Sequence, residues 1–215
     1  MANVADKQTL LHFVEASIGE INSFKSLRAE ARQSLETRVF PSKKDEEWRF
    51  TDLKSITSGY FKPSCKDDIS LDVNLGDYHL PEAEKSRLVF INGHFSQEHS
   101  SVVGLPKGVL VDTISNHLEH PKVIEYLGNI TNYNDDVFVP LNDLSFTDGT
   151  FIYVPKEVEI EQPIHILNVF TDQEYAYYAT PRVLFVGEMF SKATIIEEHI
   201  GLANNQYLNI PVTEF

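Results

Sequence analysis

Several residue types and patterns are scarce in this sequence, and each scarcity excludes a class of protein. Cys65 is the only cysteine among 215 residues, so the chain can neither form an internal disulfide framework nor supply the several thiolates that usually hold an iron–sulfur cluster. Apolar runs such as Leu88–Ile91 extend over only four residues, far short of the roughly 20 that a membrane-spanning helix needs. The N-terminus lacks the pattern of a secretory signal. We therefore expect a cytoplasmic protein without a membrane partner.

Basic residues are also few. Eighteen Lys and Arg stand against 32 Asp and Glu, for a formal charge of −14. Such an excess opposes binding to a phosphate backbone unless the basic residues are segregated on one face. The pair Lys43 and Lys44 is followed at once by Asp45, Glu46 and Glu47, so no such segregation is evident. Nucleic acid is therefore not expected as a partner.

The sequence contains none of the common catalytic motifs. A phosphate-binding loop, a dinucleotide fingerprint, a GxSxG nucleophile elbow and an HExxH zinc motif are all absent. His117 and His120 are three residues apart, as zinc ligands on a helix can be, but no third ligand follows at motif distance, and the same holds for His94 and His99. We expect no catalytic residue, no metal ligand and no cofactor-binding residue in this chain.

The first part of the chain has helical periodicity. Apolar residues at steps of three and four predict one helix from Leu11 and a second through Leu27, Ala31 and Leu35 that ends before Pro41. The only tryptophan follows in a charged segment. Trp48 and Phe50 there predict a short helix or turn that docks on a core through its apolar face.

The next segment mixes strands with short helices. A strand is weakly indicated near Ile69, and Arg87–Phe95 predicts a strand that turns at Asn92-Gly93 into a hairpin. Residues 104–111 predict another strand. A short helix is predicted from Thr113 to His120, where Pro121 should end it, and another helical segment is predicted from 123 to 127.

From Leu141 onward the pattern is that of short strands. Apolar residues two apart predict three strands, around 151–153, 158–160 and 164–166, with turn residues between them. Further strands are predicted over 183–186, 193–200 and 207–215. Short strands with frequent turns and no alternating helices are typical of a sandwich, a barrel or a solenoid.

Five sequence blocks together resemble the SufB/SufD family of the SUF iron–sulfur assembly machinery, the SufD branch more than the SufB branch. The blocks occur in the family's order: KKDEEWRFTDL, LVFINGHFS, LPKGVLV, LNDLSFTDGTFIYVPKEVEIEQPIHI and PRVLFVGEMFSKATIIEEH. The resemblance implies a mainly β protein with an α-helical N-terminus. It implies N-terminal helices in residues 1–40, a small α+β domain in 41–140, and the first coils of a right-handed parallel β-helix in 141–215.

The resemblance also implies a function and partners. Family members pair with SufB and with the SufC ATPase as a non-catalytic scaffold, so that the iron–sulfur cluster resides transiently on the whole complex and ATP on SufC. They are longer than this chain, which is expected to be an N-terminal half or a truncated form, without the C-terminal part that contacts SufC. An open β-helix end would leave unpaired backbone groups, and a homo-oligomer through residues 207–215 is expected on that ground. Pro140 is expected to delay or distort a helix that the family has there.

Two alternatives of another class remain open. One is a small cupin-like metalloenzyme that uses His165 and His199 with Glu197 or Glu198, although the closely spaced histidine pair of such sites is missing. The other is a β-helical carbohydrate-binding protein or lyase, which the missing secretion signal disfavours. His165 stands between Ile164 and Ile166 and should point to the opposite face of its strand, either to solvent or into a hydrogen-bonded interior.

Overall fold

The computed structural model describes His12 and residues 24–68, 73–131 and 136–215. The predicted helix from Leu11 lies outside these ranges except for His12, and the strand suggested near Ile69 lies outside them as well. Four α-helices are described: α1 (Lys25–Leu35), α2 (Lys54–Thr57), α3 (Pro121–Tyr126) and α4 (Phe138–Ser145). Short 3-10 helices occupy Glu46–Trp48, Lys66–Asp68, Gly76–Tyr78, Pro81–Ala83 and Ile114–His117. None of the described helices is long and apolar enough to cross a membrane.

Twelve short strands are described. Those before α4 are β1 (Lys62–Pro63), β2 (Ser86–Ile91), β3 (His94–Phe95), β4 (Ser101–Val102) and β5 (Leu110–Thr113). Those after it are β6 (Thr150–Val154), β7 (Ile164–Phe170), β8 (Tyr177–Ala179), β9 (Arg182–Gly187), β10 (Ile195–Gly201), β11 (Tyr207–Asn209) and β12 (Val212–Glu214).

The strands after α4 visit three sheets in turn. Strands β6, β9 and β12 pair in parallel in one sheet, β7 and β10 in a second, and β8 and β11 in a third. Thr150 lies opposite Val183, Ile164 opposite Ile195, and Tyr177 opposite Tyr207, so one circuit takes 33, 31 or 30 residues. Each strand therefore stacks on the strand one circuit earlier. The strands predicted around 151–153, 164–166, 183–186 and 193–200 correspond in position to β6, β7, β9 and β10.

Earlier segments extend each sheet and cover its outer face. Strand β1 pairs with β8, β2 with β7, and β5 with β6. The outer faces are covered in turn by α1 with α4, by the segment around Leu75 and Tyr78, and by α3 with the 3-10 helix before it. The enclosed face is apolar in its first circuit, where Ile152, Ile164 and Ile166 share one core cluster. The described fold thus consists of three sheets of stacked strands with α1, α3, α4 and the segment around Leu75 packed on their outer faces.

Helix α1 forms where periodicity predicts it. Ala31 and Leu35 are buried on its apolar side, against Leu141 and Leu144 of α4. The guanidinium of Arg28 donates to the carbonyl oxygens of Leu144 and Phe146, and so it satisfies backbone acceptors at the end of α4. The predicted division at residues 40 and 140 stays a prediction, but α1 and α4 share one core with strand β8 across both positions.

The hairpin at Asn92-Gly93 is confirmed. Strand β2 turns into β3 with Asn92 at φ 53° and Gly93 at φ 84°, and Phe90 pairs antiparallel with Phe95. Positive φ at both central residues matches the right-handed twist of the two strands, which explains the preference for an Asn-Gly pair.

The stretch from Leu141 to Phe170 differs from its prediction in two places. Residues 141–145, where the sequence pattern indicated short strands and almost no helix, form the second half of α4, because Leu141 and Leu144 are buried three residues apart against α1. Residues 158–160 form no strand either, only a single parallel bridge between Glu159 and Lys192. Pro140 occupies the third position of α4, where its missing N–H has no intrahelical partner to lose.

Three smaller predictions were wrong at their boundaries. Pro121 begins α3 rather than ending a helix, because its fixed φ suits a first helical position. The strand predicted over 104–111 begins only at Leu110, since Gly104 and Gly108 have positive φ and a turn closes between Pro106 and Val109. The strand predicted over 207–215 is two strands in different sheets, β11 and β12, separated by a corner.

Candidate functional site

His165 lies on the covered outer face of the second sheet. It is fully buried, and its Nε2–H donates to Glu198 Oε2 over 3.0 Å from the neighbouring strand β10. Burial lowers the pKa of His165, and the hydrogen bond to Glu198 opposes this only in part. The other ring nitrogen, Nδ1, is buried without a hydrogen-bond partner among the described residues. The second of the two sequence-based alternatives for His165, a hydrogen-bonded interior position, is therefore the correct one.

A second polar group lines the enclosed face of β10. His199 Nε2–H donates to Glu197 Oε1 over 3.1 Å, and His199 Nδ1 accepts from Asn209 Nδ2 over 3.0 Å. Thr213 Oγ1 donates to the other oxygen of Glu197 over 2.8 Å. Burial alone would raise the pKa of Glu197, but the hydrogen bonds from His199 and Thr213 outweigh it and the pKa is lowered. These four side chains form a connected network held by strands β10, β11 and β12.

The two histidines lie on opposite faces of one sheet. His165 pairs with Ile196, which shares a face with Glu198, whereas His199 pairs with Asn168 and shares a face with Glu197. The structure thus forms two separate His–Glu pairs. A metal site that uses both His165 and His199, as the cupin-like alternative requires, is not formed by these strands. No group of three or more His, Cys, Asp or Glu side chains that could hold a metal ion occurs in the described part of the chain.

The other histidines named in the sequence analysis have local structural contacts. His117 Nε2–H donates to Asp112 Oδ2 over 3.0 Å, while His120 Nδ1 accepts from the backbone N–H of Lys122 at the start of α3. The two rings stand edge to face, 6.3 Å apart between centroids.

His94, His99 and Cys65 are likewise held by neighbours. His94 Nε2 contacts Ser64 Oγ at 3.1 Å, and burial lowers the pKa of His94. His99 Nδ1 lies 2.9 Å from Ser96 Oγ. The backbone of Cys65 exchanges two hydrogen bonds with the side chain of Gln173, which ties β1 to the coil.

The largest fully buried side chain among the described residues, that of Arg182, was not predicted from the sequence to have a role. Arg182, 1% exposed at the start of β9, donates to Asp143 on α4 and to Glu214 Oε2 on β12, the latter over 2.5 Å. Its Nη1 also donates to Asn142 Oδ1 over 2.9 Å. These partners lie 32 to 40 residues away in sequence, and no spacing motif connects them. The pairing of β12 with β9 brings Glu214 to Arg182, and the packing of α4 against the strand corners brings Asn142 and Asp143 there.

Glu214 extends this network to the segment after α3. Its carboxylate accepts from the backbone N–H groups of Gly128, Ile130 and Thr131 at 3.0–3.3 Å. The network therefore joins a helix, two stacked strands and a cover loop. Its geometry holds elements in place and leaves no open face on which a substrate could meet it, since Arg182 and Glu214 are both buried.

Comparison with known proteins identifies the family. A family model described as the SufBD protein N-terminal region matches residues 11–166. An iron–sulfur cluster assembly SufBD family protein of Synechocystis sp. PCC 6803 is 35% identical over 181 residues, which are 83% of this chain and 39% of that protein. The iron–sulfur cluster assembly protein SufD of Bacillus subtilis is 24% identical over 189 residues, which are 84% of this chain and 42% of that protein.

A plant relative matches to a similar extent. The chloroplastic protein ABCI7 of Arabidopsis thaliana is 27% identical over 188 residues, covering 81% of this chain and 37% of that protein. The chain thus spans about two fifths of the length of these three relatives. Because the family model covers most of the chain, the chain belongs to the SufB/SufD family and corresponds to its N-terminal region.

Proposed function

We propose that this chain belongs to a non-catalytic scaffold subunit of the SUF iron–sulfur cluster assembly complex, which pairs with a SufB-like protein and a SufC-like ATPase. The observation that carries the proposal is the family match over residues 11–166, together with relatives that are named for iron–sulfur cluster assembly. The roles of the polar side chains agree with it. The buried Arg182 network and the two His–Glu pairs hold elements to one another, as a scaffold requires.

The proposed fold is the beginning of a right-handed parallel β-helix. Its support is the path of β6 to β12, which returns to the same sheet every 30 to 33 residues with parallel pairing at each return. A solenoid of this kind offers a long rigid surface on which several partners can assemble. In this proposal, α1, α3, α4 and the segment around Leu75 form the cover of the first circuit.

The iron–sulfur cluster is cargo in this proposal. It is built transiently on the complex, ATP is held by the SufC-like partner, and no cofactor resides on the present chain. A cytoplasmic location is proposed with the function, although one relative is named as chloroplastic.

Affinity purification from the source organism tests the proposal. The gene is tagged at its chromosomal locus, and co-purifying proteins are identified by mass spectrometry. The expected result is recovery of SufB-like and SufC-like proteins in stable amounts. Recovery of the tagged protein without any SUF component would contradict the proposal.

Metal analysis of the same preparation provides the second arm. The protein purified away from its partners should contain less than stoichiometric metal. Stoichiometric metal that is lost in His165→Ala or in His199→Ala would instead indicate a metalloprotein, and each variant would identify which of the two His–Glu pairs holds the ion.

A further inference from the structure

A groove on the α-helical side of the molecule carries a further inference that does not depend on the proposed function. It has a volume of about 1110 Å³ and lies between the segment after α1, the 3-10 helix Glu46–Trp48 and the first turn of α4. Pockets that enclose small ligands are usually about 300–1,000 Å³ and concave on most sides. This groove is larger and open along the surface, which suits a segment of another protein better than a small molecule.

The floor of the groove is aromatic. The ring of Phe138 lies 5.5 Å from that of Trp48 and 5.8 Å from that of Phe40, measured between centroids. Val39 is 39% exposed on the wall. Phe50, two residues beyond Trp48, was predicted to pack inward but is 87% exposed. Phe40 is buried beneath the floor, whereas Trp48 and Phe138 are half-buried. Partly exposed aromatic side chains of this kind are enriched at protein interfaces.

The rim of the groove is acidic. Four carboxylates, those of Asp45, Glu46, Glu47 and Asp136, line it together with a single guanidinium, that of Arg38. Asp45 accepts from Ser42 N–H and Asp136 accepts from Phe138 N–H, so both have local roles in shaping the backbone. The side chains of Glu46 and Glu47 are exposed and form no hydrogen bond or ion pair with the described residues. They are the two charges available to a partner.

We infer that this groove binds a positively charged segment of a partner protein. An apolar side chain of the segment contacts Trp48 and Val39, and its lysine or arginine residues meet Glu46 and Glu47. The same acidic rim disfavours a nucleic acid or an anionic lipid surface, because each would bring phosphate groups against these carboxylates. The aromatic floor supplies apolar contact area, and the rim supplies charge complementarity that favours a basic partner over an acidic one.

Trp48 provides a direct probe, since it is the only tryptophan in the chain. The full chain is titrated with three synthetic peptides of equal length, composed of lysine and leucine, of lysine and serine, or of glutamate and leucine. The expected result is a saturable change in tryptophan emission with the lysine–leucine peptide, weaker binding of the lysine–serine peptide, and no response to the glutamate–leucine peptide. No saturable response to the lysine–leucine peptide would overturn the inference.

A matched pair of variants separates the groove from the general negative charge of the chain. Glu46→Gln with Glu47→Gln removes two charges from the rim, and we expect roughly tenfold weaker binding of the lysine–leucine peptide, because two exposed charge contacts contribute about that much. Glu82→Gln with Glu84→Gln removes two exposed charges outside the groove and should leave binding unchanged. All four side chains are exposed, so both variants should fold. Equal weakening in the two variants would refute a specific groove.

Discussion

At the scale of single residues, the buried guanidinium of Arg182 forms the ion pairs that we expect to matter most for stability. It is fully buried between Asp143 and Glu214, and both carboxylates are also fully buried. Removing the positive charge would leave two buried carboxylates without their shared cationic partner. Breaking such a pair usually costs more than the pair itself contributes to stability, because the remaining charge cannot be solvated.

Arg182→Met should therefore lower the free energy of unfolding by about 3–5 kcal/mol. Lys192→Met is the control, because Lys192 forms an exposed ion pair with Glu159 over 3.1 Å and its removal should cost less than about 1 kcal/mol. Urea denaturation of both variants measures the difference. Similar losses in the two variants would show that the buried network does not hold the circuits together.

The pH dependence of stability tests the burial of His165. Burial lowers its pKa in the folded protein below the ordinary value of 6.5, so the unfolded chain takes up a proton that the folded chain resists. The free energy of unfolding therefore does not change with the titration of His165 above about pH 6.5. It decreases as the pH falls below that value, because the unfolded chain binds the proton first. His94 has a pKa shifted in the same direction by burial, but it remains in both proteins when His165 is replaced.

His165→Gln should therefore be less stable than the natural chain at about pH 7.5, and the difference should shrink at about pH 5.5. Denaturant unfolding at the two pH values measures it. A stability difference that is the same at the two pH values would mean that His165 is protonated to the same extent in the folded and the unfolded chain.

At the scale of elements, the side chain of Asn92 links the turn between β2 and β3 to the segment between β7 and β8. Asn92 Oδ1 accepts from Thr171 N–H over 2.8 Å and from the hydroxyl of Tyr177 over 2.7 Å. Its Nδ2 donates to Thr171 Oγ1 over 3.0 Å. The turn between β2 and β3 is thus attached to the corner between β7 and β8, which explains why a residue with φ of 53° also needs an amide side chain.

Two substitutions at Asn92 separate these contributions. Asn92→Gly keeps the left-handed backbone but loses the side-chain hydrogen bonds, and it should cost about 2–3 kcal/mol of unfolding free energy. Asn92→Ala adds the strain of an alanine in that conformation and should cost roughly 1 kcal/mol more. Thermal and denaturant unfolding measure both. Equal losses of unfolding free energy in the two variants would show that the left-handed backbone contributes nothing to the preference for asparagine at position 92.

At the scale of the whole molecule, strands from before and after α4 pair within the same sheets. Strand β7 has all seven residues buried and pairs with β2 on one side and β10 on the other. Strand β10, by contrast, pairs only with β7 among the described strands and has mostly half-buried side chains. The free energy required for local opening should therefore be lower for β10 than for β7.

Hydrogen exchange followed by mass spectrometry should show this gradient. Amides of β7 are expected to exchange most slowly and those of β10 and β11 faster, since the first are enclosed on both faces and at both edges. Exchange of β7 as fast as that of β10 would contradict a fold organised around the first circuit.

Local sequence patterns determined much of this protein. The steps of three and four predict α1, Asn92-Gly93 predicts the hairpin, and alternating apolar residues place Phe151 with Tyr153 on one face of β6. The family blocks identified the SufB/SufD family, which the family model confirms. These signals depend on neighbours within a few residues, so they are visible in the chain itself.

Only the tertiary structure decided the features that depend on contacts between distant segments. Whether residues 141–145 are helix followed from burial against α1, and the opposite faces of His165 and His199 followed from the register between β7 and β10. The partners of Arg182 and the floor of the Trp48 groove come from segments separated by tens of residues. Contacts at such separation leave no periodic trace in a single sequence, because they form only when the chain folds back on itself. For Arg182 and Glu214 this happens when β12 pairs with β9.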